Sequence, residues 1–216
     1  MNYDGEPRMG PSGVTGFVAA MRGCDMGCTF CIVPRTRGEE RSRRPLDVVR
    51  EVRWLVAQGV KEVTLLGQKV NAYKWEDAKF ADLLRMVAEV PGIERVRYTS
   101  PHPLWFPRKL VQAMASHPRI CPSVHLPLQS GSDVVLERMK RGYTSKRFAR
   151  IVRDLRTAMP DVGITTDIIV GCPGENEDDH QKTLELVRTA QFDSAFMFAY
   201  SPRPQTEAAE MSDQLP

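Results

Sequence analysis

The stretch RGCDMGCTFCIVPRTRG, Arg22 to Gly38, places Cys24, Cys28 and Cys31 within eight residues in the pattern C-x3-C-x2-C. Structural zinc is usually held by four protein ligands. A set of three therefore either recruits a fourth from elsewhere or leaves a coordination position open. Thiolates also ligate iron and sulfur clusters, and a 4Fe-4S cube held by three of them keeps one iron free for another ligand. The competing zinc reading would draw its fourth ligand from Cys121, Cys172 or one of the four histidines. It would also need a second two-ligand knuckle of the kind zinc modules use, which the chain lacks.

Working outward, the cysteine loop follows an apolar run, GFVAAMR (Gly16 to Arg22), that reads as a strand. Beyond it, Pro45 opens a helix with Val48, Val49, Val52, Leu55 and Val56 on one face, ended by Gly59. The same alternation of strand, loop and amphipathic helix then recurs. EVTLLG precedes FADLLRMVAEV, RVRYTS precedes PRKLVQAMASH, and SVHLPL precedes SDVVLERM and a helix from Ser145 to Met159. GITTDIIVG precedes a helix from Glu177 to Thr189, and SAFMFAY closes the series. Six strands joined by helices should run parallel with right-handed crossovers. The expected fold class is therefore α/β, a partial (β/α)6 barrel with a mostly parallel sheet. Ligands of such folds bind beyond the carboxyl ends of the strands, the rim on which the cysteine loop falls.

Composition narrows the setting. The 216 residues are 42% hydrophobic, enough for a core, and a formal net charge of +3 points to no particular partner. No apolar run approaches the ~18–20 residues that span a bilayer, and the N-terminus lacks the build of a signal peptide. Five cysteines, three of them crowded together, point to a reducing compartment and not to disulfides. The expectation is a cytoplasmic monomer with no membrane contact. Residues 1–13 read as a linker, 14–201 as the core domain, and 202–216 as a tail without core pattern leading to a further, missing domain.

The C-x3-C-x-aromatic-C loop, with Phe30 before the last cysteine and strand one just ahead, closely resembles that of the radical S-adenosylmethionine (radical SAM) enzymes. The segments GCTFCIVPRTRGEERSRR, VTLLGQKVNAY, HLPLQSGSDVVLERMKRGYT, TTDIIVGCPGE and YSPRP resemble, in order, the radical core of the methylthiotransferases. LLGQ.VN.Y is most similar to the tRNA 2-methylthio-isopentenyladenosine synthases. The resemblance implies a 4Fe-4S cluster on Cys24, Cys28 and Cys31, with S-adenosylmethionine on the open iron. It also implies reductive cleavage to a 5'-deoxyadenosyl radical, and methylthiolation of carbon 2 of a prenylated adenosine beside the anticodon. Related enzymes act on threonylcarbamoyl adenosine or on a ribosomal protein aspartate. A tRNA anticodon stem-loop and a reductase or flavodoxin-type electron donor are the implied partners. Departures from the family pattern are Lys69 for Asn, Cys172 for an aromatic and Gln205 for Gly. The family's donor domain, with three further cysteines for a sulfur-donating cluster, and its C-terminal RNA-binding barrel have no counterpart in these residues.

Several rim residues are candidates for holding S-adenosylmethionine. Phe30, Gly67, Gln68 and Asn71 follow strands one and two, and Asp167, Gly171 and Glu175 lie on or after strand five. Glycine there would admit a ligand close to the backbone, and a carboxylate facing the barrel interior would need a partner such as a ribose hydroxyl or an arginine. Each also has a plain structural reading as a turn residue or an internal pair. Arg35, Arg37, Arg41 and Arg43, with Arg44, form a basic run beside the cysteine loop. Guanidinium groups suit phosphates, so these are candidate RNA contacts, the alternative being a solvated loop paired with Glu39 and Glu40. No residue is singled out as a catalytic acid or base.

Overall fold

The computed structural model describes residues 13–215 together with the backbone of Arg8–Met9. Six strands carry the architecture: β1 (Thr15–Ala19), β2 (Glu62–Leu66), β3 (Arg95–Tyr98), β4 (Ser123–His125), β5 (Gly163–Val170) and β6 (Ser194–Ala199). β1, β2 and β3 pair in parallel, as do β4, β5 and β6. The two groups meet at a parallel bridge between Val96 and Ile120, where Cys121 N–H donates to the Val96 carbonyl at 3.0 Å. Neighbouring strands thus follow chain order, and among the described residues β6 and β1 do not pair. This is the open six-stranded barrel expected. Arg8–Met9, inside the segment expected to be linker, pair antiparallel with β1 at Phe17 and Gly16.

Among the described residues seven α-helices occupy the connections: α1 (Val33–Arg37), α2 (Pro45–Ala57), α3 (Phe80–Ala88), α4 (Arg108–Ser116), α5 (Asp133–Arg138), α6 (Ser145–Ala158) and α7 (Glu177–Ala190). Their apolar faces form the core. α2 buries Val48, Val49, Val52 and Leu55, and α6 buries Phe148, Ile151, Val152 and Leu155, each at helical spacing. A fully buried Leu or Phe contributes roughly 1.5–3 kcal/mol, so these rows hold helices of modest intrinsic propensity against the sheet. Along β5, Ile164, Thr166 and Ile168 are buried, while Thr165, Asp167 and Ile169 alternate onto the half-open lumen. β4 ends at His125, short of the expected SVHLPL, because Pro127 has no N–H to donate. The Leu128 N–H turns instead to the Thr166 hydroxyl, at 2.9 Å.

The C-terminal segment departs from expectation. Thr206 and Ala208 are buried, Glu207–Glu210 form a 3-10 turn, and the Ala208 N–H donates to the Thr29 carbonyl at 2.8 Å. Asp213 accepts from the Gly174 N–H through its carbonyl and pairs with Arg138 through its carboxylate. The segment is strapped across the cysteine loop and the turn after β5. No core pattern was legible there because it docks through backbone hydrogen bonds and two small or polar side chains.

Candidate active site

The cysteine loop is held from two sides. Gly23, at φ 68°, leaves no room for a side chain, since a Cβ there would overlap the Glu39 carbonyl. That close approach lets Cys24 N–H donate to the Gly38 carbonyl at 3.1 Å, while Glu40 N–H donates to the Asp25 carboxylate at 2.9 Å. From the other side, Thr29 donates its N–H to the Met139 carbonyl and its hydroxyl to that of Arg138. Cys24 and Cys28 are buried and Cys31 is half-buried. Burial pushes the Cys24 and Cys31 thiols up, opposed by the Met26 and Val33 backbone and by the charges of Lys69, Arg141 and Arg203.

What the three thiols could hold follows from their surroundings. Among the described residues no three Cys, His, Asp or Glu side chains converge as a single metal ion requires. They border instead a cavity of about 500 Å³, lined also by Gly27, Gln205, Thr206 and Glu207. The Arg141 guanidinium, itself buried, donates to Cys28 Sγ at 3.3 Å. Spaced thiols, a roomy cavity and a buried cation fit an anionic cluster better than one ion.

A second cavity of about 420 Å³ shares Cys31 with the first. Phe30, Gln129, Asp167, Ile169, Tyr200 and Arg203 are on its wall, so two expected residues, Phe30 and Asp167, come together there. Asp167 accepts from or shares a proton with His125 Nε2 at 3.0 Å, and His125 Nδ1 lies 2.9 Å from the Thr165 hydroxyl. The partner expected for that carboxylate is therefore a histidine of β4. Glu175 stands behind the rim, its Oε2 accepting from the N–H groups of Gly171 (2.6 Å) and Cys172 (3.1 Å). Gly171, at φ 75°, makes the turn possible.

The segment after β2 has a different task from the one expected. Gly67, Gln68 and Asn71 border neither cavity. Asn71 donates its amide hydrogens to the carbonyls of His102 (2.9 Å) and Trp105 (2.6 Å), and its Oδ1 accepts from the His102 N–H (2.7 Å). It braces one loop against another and its donors are used up. Gly67 is needed for packing, as a Cβ would come within 2.6 Å of Met21 Cγ. Gln68 is exposed.

The arginine run also divides. Arg35 and Arg37 are exposed on α1, Arg35 at the edge of the cysteine cavity. Arg41 is exposed and pairs with Glu39 at 3.2 Å, a contact of small energetic weight in water. Arg43 corrects the expectation: at 17% side-chain exposure it donates to the Ala19 carbonyl (2.8 Å) and Glu51 (2.6 Å). It pins α2 to the end of β1, and its guanidinium is committed to these partners.

Four polar residues near the cysteines escaped the sequence reading as site members. Lys69 is buried, paired with Glu40 at 2.5 Å and 4.4 Å above the Trp105 ring. His102 accepts the Leu104 N–H at Nδ1, while its buried Nε2 has no partner. Burial, then the charges of Arg141 and Lys69, pushes its pKa down to about 2, so the ring is neutral. Gln129, at φ 70°, is on the wall of the second cavity, and its buried Oε1 has no partner. Arg141 is the fourth. The departure at Lys69 was a visible signal, whereas Arg141 sits in MKRGYT beside Lys140 and looks like one of two solvated charges.

Comparison with known proteins places this geometry. Residues 18–187 match the Radical SAM superfamily. The chain is 53% identical to the tRNA-2-methylthio-N(6)-dimethylallyladenosine synthase of Mycobacteroides abscessus, over 97% of this chain and 43% of the relative. It is 58% identical to the enzyme of that name from Parafrankia sp., over 90% of this chain and 40% of the relative. The chain thus spans about two-fifths of the length of these relatives. Among solved structures, the radical S-adenosylmethionine methyltransferase TsrM of Kitasatospora setae superposes with a TM-score of 0.73 at 19% identity, covering 89% of this chain and 38% of that one. Coproporphyrinogen III oxidase (HemN) of Escherichia coli superposes at 0.65 and 14% identity, over 94% of this chain and 48% of its own. With three thiols on the first strand's rim, an open parallel barrel behind them and that family match, the chain belongs to the radical SAM superfamily, as a core homologous to tRNA methylthiotransferases.

Proposed function

We propose that the chain is the catalytic core of a tRNA methylthiotransferase acting on carbon 2 of a prenylated adenosine beside the anticodon. Cys24, Cys28 and Cys31 hold a 4Fe-4S cluster and the adjoining cavity takes S-adenosylmethionine. The observation that carries this reading is the shared wall at Cys31, which brings whatever the thiolates hold against a ligand lying between Phe30, Gln129 and Asp167. When bound, the cluster supplies one low-potential electron and an open iron that chelates the cofactor.

The remaining work falls to side chains. Phe30 and Ile169 give an apolar wall, Gln129 adds a polar residue to it, and Asp167 with His125 offers a carboxylate to a hydroxyl. The names of the relatives support tRNA as the substrate class. A reductase or flavodoxin-type electron donor, a monomeric state and a cytoplasmic location complete the proposal. Among the described residues no helix is long and apolar enough to cross a membrane.

Anaerobic reconstitution tests the reading. The chain should turn brown and load about four irons, one cube per three-thiolate site. A colourless protein holding a single zinc would overturn it in favour of a zinc-stabilised RNA-binding module. The RNA side has its own test. Arg35 and Arg37 are exposed on α1, Arg35 at the edge of the cysteine cavity. Binding of an anticodon stem-loop should weaken with salt, and an Arg35→Ala, Arg37→Ala double variant should flatten the slope of log K against log salt by roughly two units. Arg43→Ala should instead lower the melting temperature. An unchanged slope in the double variant would return Arg35 and Arg37 to a solvated role.

A further inference from the structure

We propose that Arg141 sets the reduction potential of the cluster, favouring the reduced state through its charge and its hydrogen bond to Cys28 Sγ. The inference rests on the three-cysteine cluster proposed above. Arg141 follows α5, is only 6% exposed, and makes two side-chain hydrogen bonds, to Cys28 Sγ at 3.3 Å and to the Tyr143 hydroxyl at 3.4 Å. Its guanidinium carbon lies 5.5 Å from the Tyr143 ring centroid. Among the described residues no carboxylate pairs with it.

A buried cation without an anion is costly, and native proteins rarely keep one. The surroundings of Arg141 do not neutralise it. His102 is uncharged, Lys69 is itself a cation whose pair is Glu40, and Tyr143 holds its proton because burial raises its pKa. The remaining neighbour is a cysteine sulfur. A cube ligated by three thiolates is anionic and gains one further negative charge on reduction. A fixed positive charge therefore stabilises the reduced form more than the oxidised one, and a donor to a ligating sulfur acts in the same direction. The step is a one-electron transfer from an external low-potential reductant. No bond breaks and no proton moves.

The Tyr143 hydroxyl donates to the Leu128 carbonyl at 2.7 Å, so the group that orients Arg141 is fixed to the segment that follows β4. This makes the charge a built feature and not a mobile side chain that happens to lie nearby.

The test compares the wild-type chain with Arg141→Gln and Arg141→Lys, each reconstituted anaerobically without S-adenosylmethionine. Iron and sulfide are counted first. A wild-type chain that loads no iron would refute the cluster reading itself, apart from any role of Arg141. Loaded samples are then titrated with dithionite and redox mediators, following the paramagnetic signal of the reduced cluster. Arg141→Gln should make the reduction equilibrium about tenfold less favourable, a midpoint lower by about 59 mV for one electron. Arg141→Lys keeps a charge but loses the fork that reaches Cys28 and Tyr143 together, so its midpoint should fall between the two. If Arg141→Gln fails to load, Arg141→Met, which also removes the charge, takes its place, and a wild-type midpoint in it overturns the proposal. An unchanged midpoint in fully loaded Arg141→Gln does the same. So would weaker S-adenosylmethionine binding at an unchanged midpoint, which would assign Arg141 to the carboxylate of that cofactor.

Discussion

Cys28→Ala is expected to leave the reconstituted chain with essentially no cluster iron, against about four per chain in the wild type. Of the three thiols it is the one to which the buried Arg141 donates, and it lies on a loop fixed by Thr29 to the C-terminal end of α5. Removing it leaves two thiolates and two irons without protein ligands. Cys24→Ala and Cys31→Ala should fail in the same way. Cys121→Ala and Cys172→Ala should load normally, for different reasons. Cys121 precedes β4, at the opposite end of the barrel, near Arg97 and Glu62. Cys172 lies in a small apolar cluster with Val135 and Met139, and burial, then Glu175, pushes its thiol up to about 12, so it stays protonated. Iron and sulfide analysis with visible absorbance reads the result. Full loading in Cys28→Ala would remove the three-cysteine assignment.

The second large effect separates two halves of one reaction. Given a strong reductant, the loaded chain should release 5'-deoxyadenosine and methionine, because cleavage needs only a cluster with an open iron and a pocket beside it. Offered a prenylated tRNA, the same 216-residue chain should give no methylthio product. Forming the carbon to sulfur bond needs a sulfur donor, and the two remaining cysteines cannot make one together, since Cys121 and Cys172 stand at opposite ends of the barrel. Mass spectrometry of digested tRNA and chromatography of the nucleoside check both arms. Methylthiolated tRNA from this chain alone would bring Cys121 and Cys172 back as sulfur ligands. Full iron with no cleavage would mean that the pocket at Phe30 and Asp167 does not take the cofactor in this chain.

The strands and helices were legible because their apolar periods are strong and their ends are marked by Pro45, Gly59 and Gly171. The cysteine loop was legible because its chemistry lies within eight consecutive residues. What was hidden depends on distance in sequence. Arg141 lies 113 residues from Cys28, and Asp167 lies 42 from its partner His125. Neither pair leaves a local pattern. Asn71 and Arg43 misled for the opposite reason: their side-chain chemistry suits ligands, yet the fold uses that chemistry for its own carbonyls and for Glu51.

The strap that crosses the cysteine loop has a consequence for biosynthesis. A ribosome delivers Cys24, Cys28 and Cys31 early, yet part of the wall of the cavity they border comes from Gln205, Thr206 and Glu207, and Thr29 receives its bond from Ala208. At about 5–20 residues per second, the thiols wait on the order of ten seconds or more before their last wall exists. Throughout that interval they are open to oxygen and to stray metal ions, with no finished pocket to select among them. A cluster that needs this wall would be assembled only after translation of this segment, and slow synthesis in air should then threaten the nascent chain more than the folded one.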